Sequence, residues 1–546
     1  MVCVLEEKIV PESKDLKKTL AQNIRIVGES CLFKYYIKMK NTILAILLAF
    51  AIGSSGCTQD LPDNININTS PNGVVTLPST VGSAWINGGF VKYTKIQAPN
   101  GQAIHFVAQN QLTEAQIVRA RNILQFYLKN VTGSEFGTDK SSVANKMAEN
   151  QAILLLLNGS DGQGNEPNVP GQPLFYNEIA VEGHDWYINN DFEHRDAAFE
   201  EILHLMHDTG IGVDGPNSQA GALPAYQAAI RAAQQHAHQN NFAIWPIGAG
   251  GTNSDVQNWY NELDNENSLS QEYLASVVDS YYGLWGPWEE AEGGMWGIYI
   301  AKTRAEILMR DPMGATVLEQ YFSPYIDVNM SIDPSFSGTF SMSFDASQAY
   351  THKSQYLQHC SLSGEKPSNL KGNKQYNRLN GNLSNNELEG LKGNDYLDGK
   401  AGMDRAKFTG KLSEYVIDHQ AETTIISDMV NGRDGVDTLV NIETLSFADQ
   451  DVSIITNLDA LSFSNKITIF PNPADDYFMV KWDEVPSSTK MQEIRLYNAS
   501  GRIIKVVNID TSDKTARVDI PALTSGNYIV QLIGGHQRIS KKISIQ

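Results

Sequence analysis

The densest grouping of chemistry-bearing side chains runs from Glu193 to Asp208. Glu193-His194-Arg195-Asp196 leads into Phe199-Glu200-Glu201-Ile202-Leu203-His204-Leu205-Met206-His207-Asp208, and Gly210 and Gly212 follow. At roughly 100° per residue this reads as an amphipathic helix, stopped by glycine. Glu200, His204 and His207 share one face, with Glu201 and Asp208 beside them. Carboxylates and imidazoles gathered in this way form a divalent-metal ligand set, a buried hydrogen-bonded network or a solvated face. Glu201-x-x-His204 also matches half of a di-iron carboxylate motif, but the sequence holds no second copy.

A second grouping is periodic. Gly372, Gly381, Gly390 and Gly399 stand nine residues apart. The sixth position of each unit is Asn377, Asn386, Asp395 or Asp404, and the eighth is Leu379, Leu388, Leu397 or Ala406. Glycine admits a tight turn with positive φ. Side-chain oxygens and nearby carbonyls suit a hard cation, and the apolar position fills an interior. The competing reading is a Gly/Asn-rich linker with chance periodicity.

The helix at Glu200-Glu201-x-x-His204 resembles the HExxH helix of zincin metallopeptidases, with Glu200 in place of the first histidine. The resemblance implies zinc held by Glu200 and His204, with Glu201 as general base. A third ligand would come from a later helix, as the glutamate of gluzincins does. Ser270-Gln271-Glu272-Tyr273-Leu274-Ala275 supplies Glu272 for that role. His207, at i+3 from His204, is the alternative to Glu200. The apolar run Ala152 to Leu157 fits the edge strand beside such a cleft. Two glutamates and one histidine leave a zinc site formally neutral, so it acidifies water and polarises a carbonyl less than a site with two histidines. A metal-dependent peptidase, an inactive zincin-like domain and an unrelated scaffold all remain open.

The nine-residue units resemble the GGxGxDxUx repeats of RTX proteins, which wind a parallel β-roll. Each turn of such a roll uses two units, which pairs Asn377 with Asp395 and Asn386 with Asp404 as calcium ligands. Gln375 and Ser384 stand where the family has glycine, so one or two calcium ions are expected. Phe408, Tyr415, Arg433-Asp434-Gly435-Val436-Asp437-Thr438-Leu439 and Ile442-Glu443-Thr444-Leu445 resemble the flank that closes such rolls in serralysin-like proteins.

Further on, Phe470-Pro471-Asn472-Pro473-Ala474-Asp475-Asp476 precedes short alternating strands, with Gly501 placed as a hairpin turn residue. Glu493 to Arg502, Ile520 to Leu523, Ser525 to Val530 and Lys541-Lys542 complete the pattern of a small antiparallel β-sandwich. The order of these motifs resembles the type A sorting domain of the type IX secretion system. That implies partnership with the secretion machinery, passage through the outer membrane, and cleavage in exchange for a surface anchor. A generic adhesion-type sandwich is the alternative.

The elements around these groups follow from pattern and composition. Lys38-Met39-Lys40, the apolar run Ile43 to Ile52 and Gly53 to Cys57 read as a signal peptide, with translation expected to start at Met39 or to leave a cytoplasmic tail. Ser55-Gly56-Cys57 resembles the end of a lipobox, although Ser54 replaces its usual leucine. Lipidation at Cys57 and ordinary cleavage nearby are both open. Ala103 to Ala108 reads as a strand, and Leu112 to Val131 as a helix capped by Thr113. Further helices are expected near 194–208, 218–239, 268–283 and 302–309. The net charge of −20 repels phosphate backbones and argues against nucleic-acid binding.

The expected organisation is multidomain. It comprises a mis-called extension 1–38, a signal peptide 39–57, a linker 58–80, a zincin-like α+β domain 81–335, a transition segment 336–365, an RTX-like calcium-binding β-roll with flank 366–455, and a sorting sandwich 465–546. The function expected is an exported calcium-binding protein with a metal-dependent peptidase domain acting on peptides or proteins, extracellular or at the outer-membrane surface. The rival is a non-catalytic surface-binding or adhesion protein.

Overall fold

A computed structural model describes residues 61–546 apart from 163–165, 184–195, 214–218, 290–291, 421–422, 455–466, 483–490, 499–501, 510–513, 522 and 535–536. The expected signal peptide with Cys57, as well as Glu193, His194 and Gly501, lies outside the described residues. Among the described residues no helix is long and apolar enough to cross a membrane.

The first sheet has five strands in the order β1 (Val75–Thr76), β2 (Phe90–Gln97), β3 (Ala103–Gln109), β4 (Ile153–Leu157) and β5 (Gln172–Phe175). β1, β2 and β3 pair antiparallel, while β3, β4 and β5 pair parallel. All five residues of β4 are buried, as a strand covered on both faces requires. Leu154 and Leu156 enter the main core, and Ile153, Leu155 and Leu157 enter a second cluster with Leu61, Leu77 and Trp85.

Two expectations are corrected here. Residues 61–80 are not a tether, because Leu61, Ile65, Val74 and Leu77 are buried and β1 joins the sheet. Widely spaced apolar anchors gave that segment no periodicity, yet Leu61, Ile65 and Leu77 fill the outer face of the sheet and Val74 enters the main core. Nor is Ala152 to Leu157 the edge strand; β4 is interior, and β5 forms the edge.

Helices cover the other face. Glu114–Tyr127 starts at Thr113, whose hydroxyl oxygen accepts from Gln116 N at 3.2 Å while Gln116 Oε1 accepts from Thr113 N at 3.1 Å. This reciprocal cap satisfies two otherwise orphaned donors. Thr113→Ala is expected to cost about 1 kcal/mol, read as a lower urea midpoint with an unchanged slope. The later helices are Ala198–Met206, Pro224–Ala237, Leu269–Tyr281 and Arg304–Arg310, and the structure adds Ser141–Glu149, Ser254–Glu266 and Pro312–Glu319.

From Ile326 onward the chain alternates between two seven-stranded sheets. One contains β6 (Ile326–Ser331), β9 (Leu357–Ser361), β11 (Arg378–Asn380), β13 (Tyr396–Asp398) and β17 (Val436–Val440); the other contains β7 (Gly338–Ser341), β10 (Ser368–Lys371), β12 (Glu387–Glu389), β14 (Arg405–Lys407) and β18 (Thr444–Ser446). These strands pair parallel, placing Leu370 beside Leu388, Leu388 beside Ala406, and Ala406 beside Leu445. Cys360, Leu379, Leu397 and Leu439 form the matching column opposite. All eight are at most 1% exposed, so the eighth position of each unit is the interior of a parallel coil. The coil therefore begins at β6, well before residue 366. Its core is continuous with that of the helices, which makes a cut near residue 335 a cut through packed side chains.

The last region holds two antiparallel sheets. One contains β20 (Ile467–Phe470), β21 (Tyr477–Trp482) and β24 (Thr515–Asp519); the other contains β23 (Ile503–Asn508), β22 (Met491–Tyr497), β25 (Gly526–Gly534) and β26 (Gln537–Ile545). Phe478, Val480 and Trp482 from the first meet Leu496, Val530 and Leu532 from the second in a separate core.

Candidate metal centres

The helix Ala198–Met206 is buried at every position, so its three ionisable side chains need partners inside the protein. Asp196 fixes its start. Asp196 Oδ1 accepts from Ala198 N at 3.2 Å and from Arg119 Nη1 at 3.1 Å. Arg119 Nε also reaches Glu182 Oε1 at 3.2 Å, with both of its carboxylate partners fully buried. Burial pushes the Glu182 carboxyl upward, and Arg119 opposes this. Tyr127 donates its hydroxyl to Phe199 O at 2.9 Å, a second tie to the helix Glu114–Tyr127.

Beyond Met206 the backbone widens into a π-helical turn, His207–Gly212. Gly212 ends it with φ of +103°, and a Cβ there would lie 2.6 Å from Gly221 Cα. Only glycine fits that crossing.

Glu200, His204 and Glu272 meet between this helix and Leu269–Tyr281. Each offers one ligand-type atom, and the three atoms lie within 4.8 Å of one another. His204 Nε2 is 3.7 Å from Glu272 Oε1, and all three residues are at most 6% exposed. Around a tetrahedral zinc, oxygen and nitrogen ligands sit about 3.4 Å apart, so the group is close to metal-binding spacing. A divalent cation balances the two carboxylates, and an imidazole with carboxylates is a borderline-hard donor set suited to zinc.

Glu201 lies beside the same imidazole, with Oε2 3.6 Å from His204 Nδ1. Gln172, at the start of β5, donates from Nε2 to that same oxygen at 2.8 Å. His207 turns elsewhere. Its Nε2 is 2.6 Å from Gln227 Oε1, and Gln227 donates on to Ser270 Oγ at 3.2 Å. Burial depresses the His207 imidazole to about 4, and with its Nε2 committed to Gln227 it stands outside the group. Nothing in the local sequence separates His207 from His204, since the distinction is made by Gln227 on another helix. Gln172 was likewise invisible, lying on a short proline-containing edge strand.

The coil carries the other oxygen-rich positions. Asn377 Oδ1 accepts from Asn373 N at 2.7 Å, and Asn386 Oδ1 accepts from Asn382 N at 2.8 Å. Asp395 Oδ1 accepts from Asn377 N at 2.7 Å and Asp404 Oδ1 accepts from Asn386 N at 2.8 Å. The Oδ2 atoms of Asp395 and Asp404 are buried with no hydrogen-bond partner. Burial, with Asp437 beside one and Glu443 beside the other, pushes both carboxyls up to about 9.

The architecture is thus multidomain: a sheet covered by helices, a parallel coil sharing their core, and a separate pair of antiparallel sheets. Residues 468–546 match the family model of the secretion system C-terminal sorting domain. Export from the cell by the type IX system, and engagement with its machinery, follow from that domain. A comparison with curated proteins returned no match. Among solved structures, the fibronectin type III domain of human contactin 1 is 11% identical over 15% of this chain and 74% of its own, with a TM-score of 0.13. A DUF3244-family protein from Bacteroides vulgatus with an immunoglobulin-like β-sandwich fold is 16% identical over 15% and 89%, with a TM-score of 0.13. Dimeric latent PorU from Porphyromonas gingivalis is 14% identical over 23% of this chain and 12% of its own, with a TM-score of 0.13. These structural likenesses are too slight to bear on fold or function.

Proposed function

We propose that the chain is an exported metal-dependent peptidase, with zinc held by Glu200, His204 and Glu272 and with Glu201 as general base. The observation that carries this reading is the meeting of three ligand-type atoms within 4.8 Å on two buried helices. When bound, zinc supplies polarisation of the scissile carbonyl and of a water molecule. Glu201 takes the proton from the attacking water and returns it to the leaving amine. Gln172 holds the Glu201 carboxylate in place through its 2.8 Å hydrogen bond. Gln172 also begins the edge strand β5, whose outer backbone groups can align an extended peptide. The formal neutrality of the ligand set points to slower turnover than at a site with two histidines and one glutamate.

The coil is, on this proposal, a calcium-binding element at Asp395 and Asp404. Its support is their buried, unpartnered Oδ2 atoms, which a hard cation satisfies.

The test uses the full chain purified without chelators, with metal content and hydrolysis of a casein substrate measured together. One equivalent of zinc per chain is expected. His204→Asn and Glu272→Gln lose it, whereas His207→Asn keeps it, because His207 belongs to Gln227. A wild-type chain free of transition metal would refute the peptidase reading.

A further inference from the structure

The coil is held by two unlike ladders. In the earlier units the sixth residue is asparagine, and its amide satisfies both directions of the turn. Asn377 Nδ2 donates to Asn373 Oδ1 at 3.0 Å while Asn377 Oδ1 accepts from Asn373 N at 2.7 Å. Asn386 repeats this with Asn382 at 3.1 and 2.8 Å, and also donates to Ser368 O at 2.8 Å. An amide carries donors and acceptors together, so these turns close without an ion.

In the later units the sixth residue is aspartate, which cannot donate once ionised. Asp395 and Asp404 are each 1% exposed, and each keeps one buried oxygen unpartnered. A second carboxyl follows each. Asp437 Oδ1 accepts from Asp395 N at 2.8 Å, and Glu443 Oε2 accepts from Asp404 N at 2.6 Å. Nearby cations are engaged elsewhere: Arg433 with Asp428 and Glu414, Lys400 with Asp398, and Arg405 with Asp451. Carbonyl oxygens, which are hard-cation ligands, crowd the same turns. A Cβ on Gly393 would lie 2.4 Å from Gln375 O, and one on Gly435 would lie 1.7 Å from Gly393 O.

We propose that the calcium requirement of the coil is confined to its last turn, in two sites built from Asp395 with Asp437 and from Asp404 with Glu443, while the turns closed by Asn377 and Asn386 are metal-free. This rests on the reading of the coil as a calcium binder and alters its ligand set. Asn377 and Asn386 contribute backbone N–H donors to the aspartates, not ligand oxygens. Asp437 and Glu443 fall outside the nine-residue register, at spacings of 42 and 39 residues from the groups they join. Calcium then acts on β17 and β18, the strands that complete the coil, and the asparagine turns stay folded on the helical core in its absence.

The experiment is calcium titration calorimetry of the full chain, with hydrogen–deuterium exchange in calcium and in a calcium-selective chelator. Two equivalents of calcium are expected. Chelation raises exchange in 393–407 and 433–447 and leaves 368–389 protected. Asp437→Asn and Glu443→Gln keep the ladder acceptors, so protection of 368–389 reports that each variant is folded, and each weakens one site by about tenfold or more. Absence of any calcium uptake by the wild type overturns the calcium reading itself. Uptake accompanied by loss of protection in 368–389, or uptake indifferent to both substitutions, overturns only its confinement to the last turn.

Discussion

Glu201→Gln is expected to lower kcat for peptide hydrolysis by about a thousandfold while leaving zinc content unchanged. The glutamine side chain keeps the size and one carbonyl oxygen of the carboxylate, so Gln172 can still donate to it across the present 2.8 Å. What it loses is the ability to accept a proton from attacking water. Glu201 is not among the three residues whose ligand atoms converge, so the metal has no reason to leave. Initial rates on an internally quenched peptide, paired with metal analysis of the same preparation, give both quantities. Retained activity would remove Glu201 from the chemistry. Loss of zinc along with activity would mark it as a ligand.

The second large effect concerns what positions that helix. Arg119→Met is expected to destabilise the protein by about 3–5 kcal/mol, enough to leave much of it unfolded. Arg119 is the cation between two fully buried carboxylates, Glu182 and Asp196. Removing it strands both charges, and the methionine recovers only the packing of the stem. Asp196 also holds Ala198 N, so zinc binding should weaken together with stability. Urea unfolding followed by tryptophan fluorescence measures the first and competitive chelation the second. A change under about 1 kcal/mol would mean that the network contributes no more than an exposed ion pair.

The parts of this molecule that were legible in the sequence are those written in local periodicity. Glu200 and His204 share a helix face because they are four residues apart, and the interior leucines of the coil recur because every turn repeats one register. Thr113 announced its helix start by residue type and by the apolar spacing that follows it. What could not be read depends on partners remote in sequence. His207 looks equivalent to His204 until Gln227, twenty residues on, claims it. The segment 61–80 has too few apolar residues to show a period, yet Leu61 and Leu77 close the outer face of the sheet. Ile153 to Leu157 had the composition of a buried strand, but its place inside the sheet was fixed only when Gln172–Phe175 paired alongside it. Asp437 and Glu443 were missed for the same reason. The chain leaves the nine-residue rhythm before returning to stack on β13 and β14, and no spacing rule spans that excursion.

Zinc-edge anomalous diffraction from crystals of the full chain tests the central claim most directly. The account predicts one strong peak about 2.0–2.2 Å from a carboxylate oxygen of Glu200, Nε2 of His204 and a carboxylate oxygen of Glu272. A peak at any other set of side chains, or no peak from protein purified and crystallised with zinc present, would contradict it.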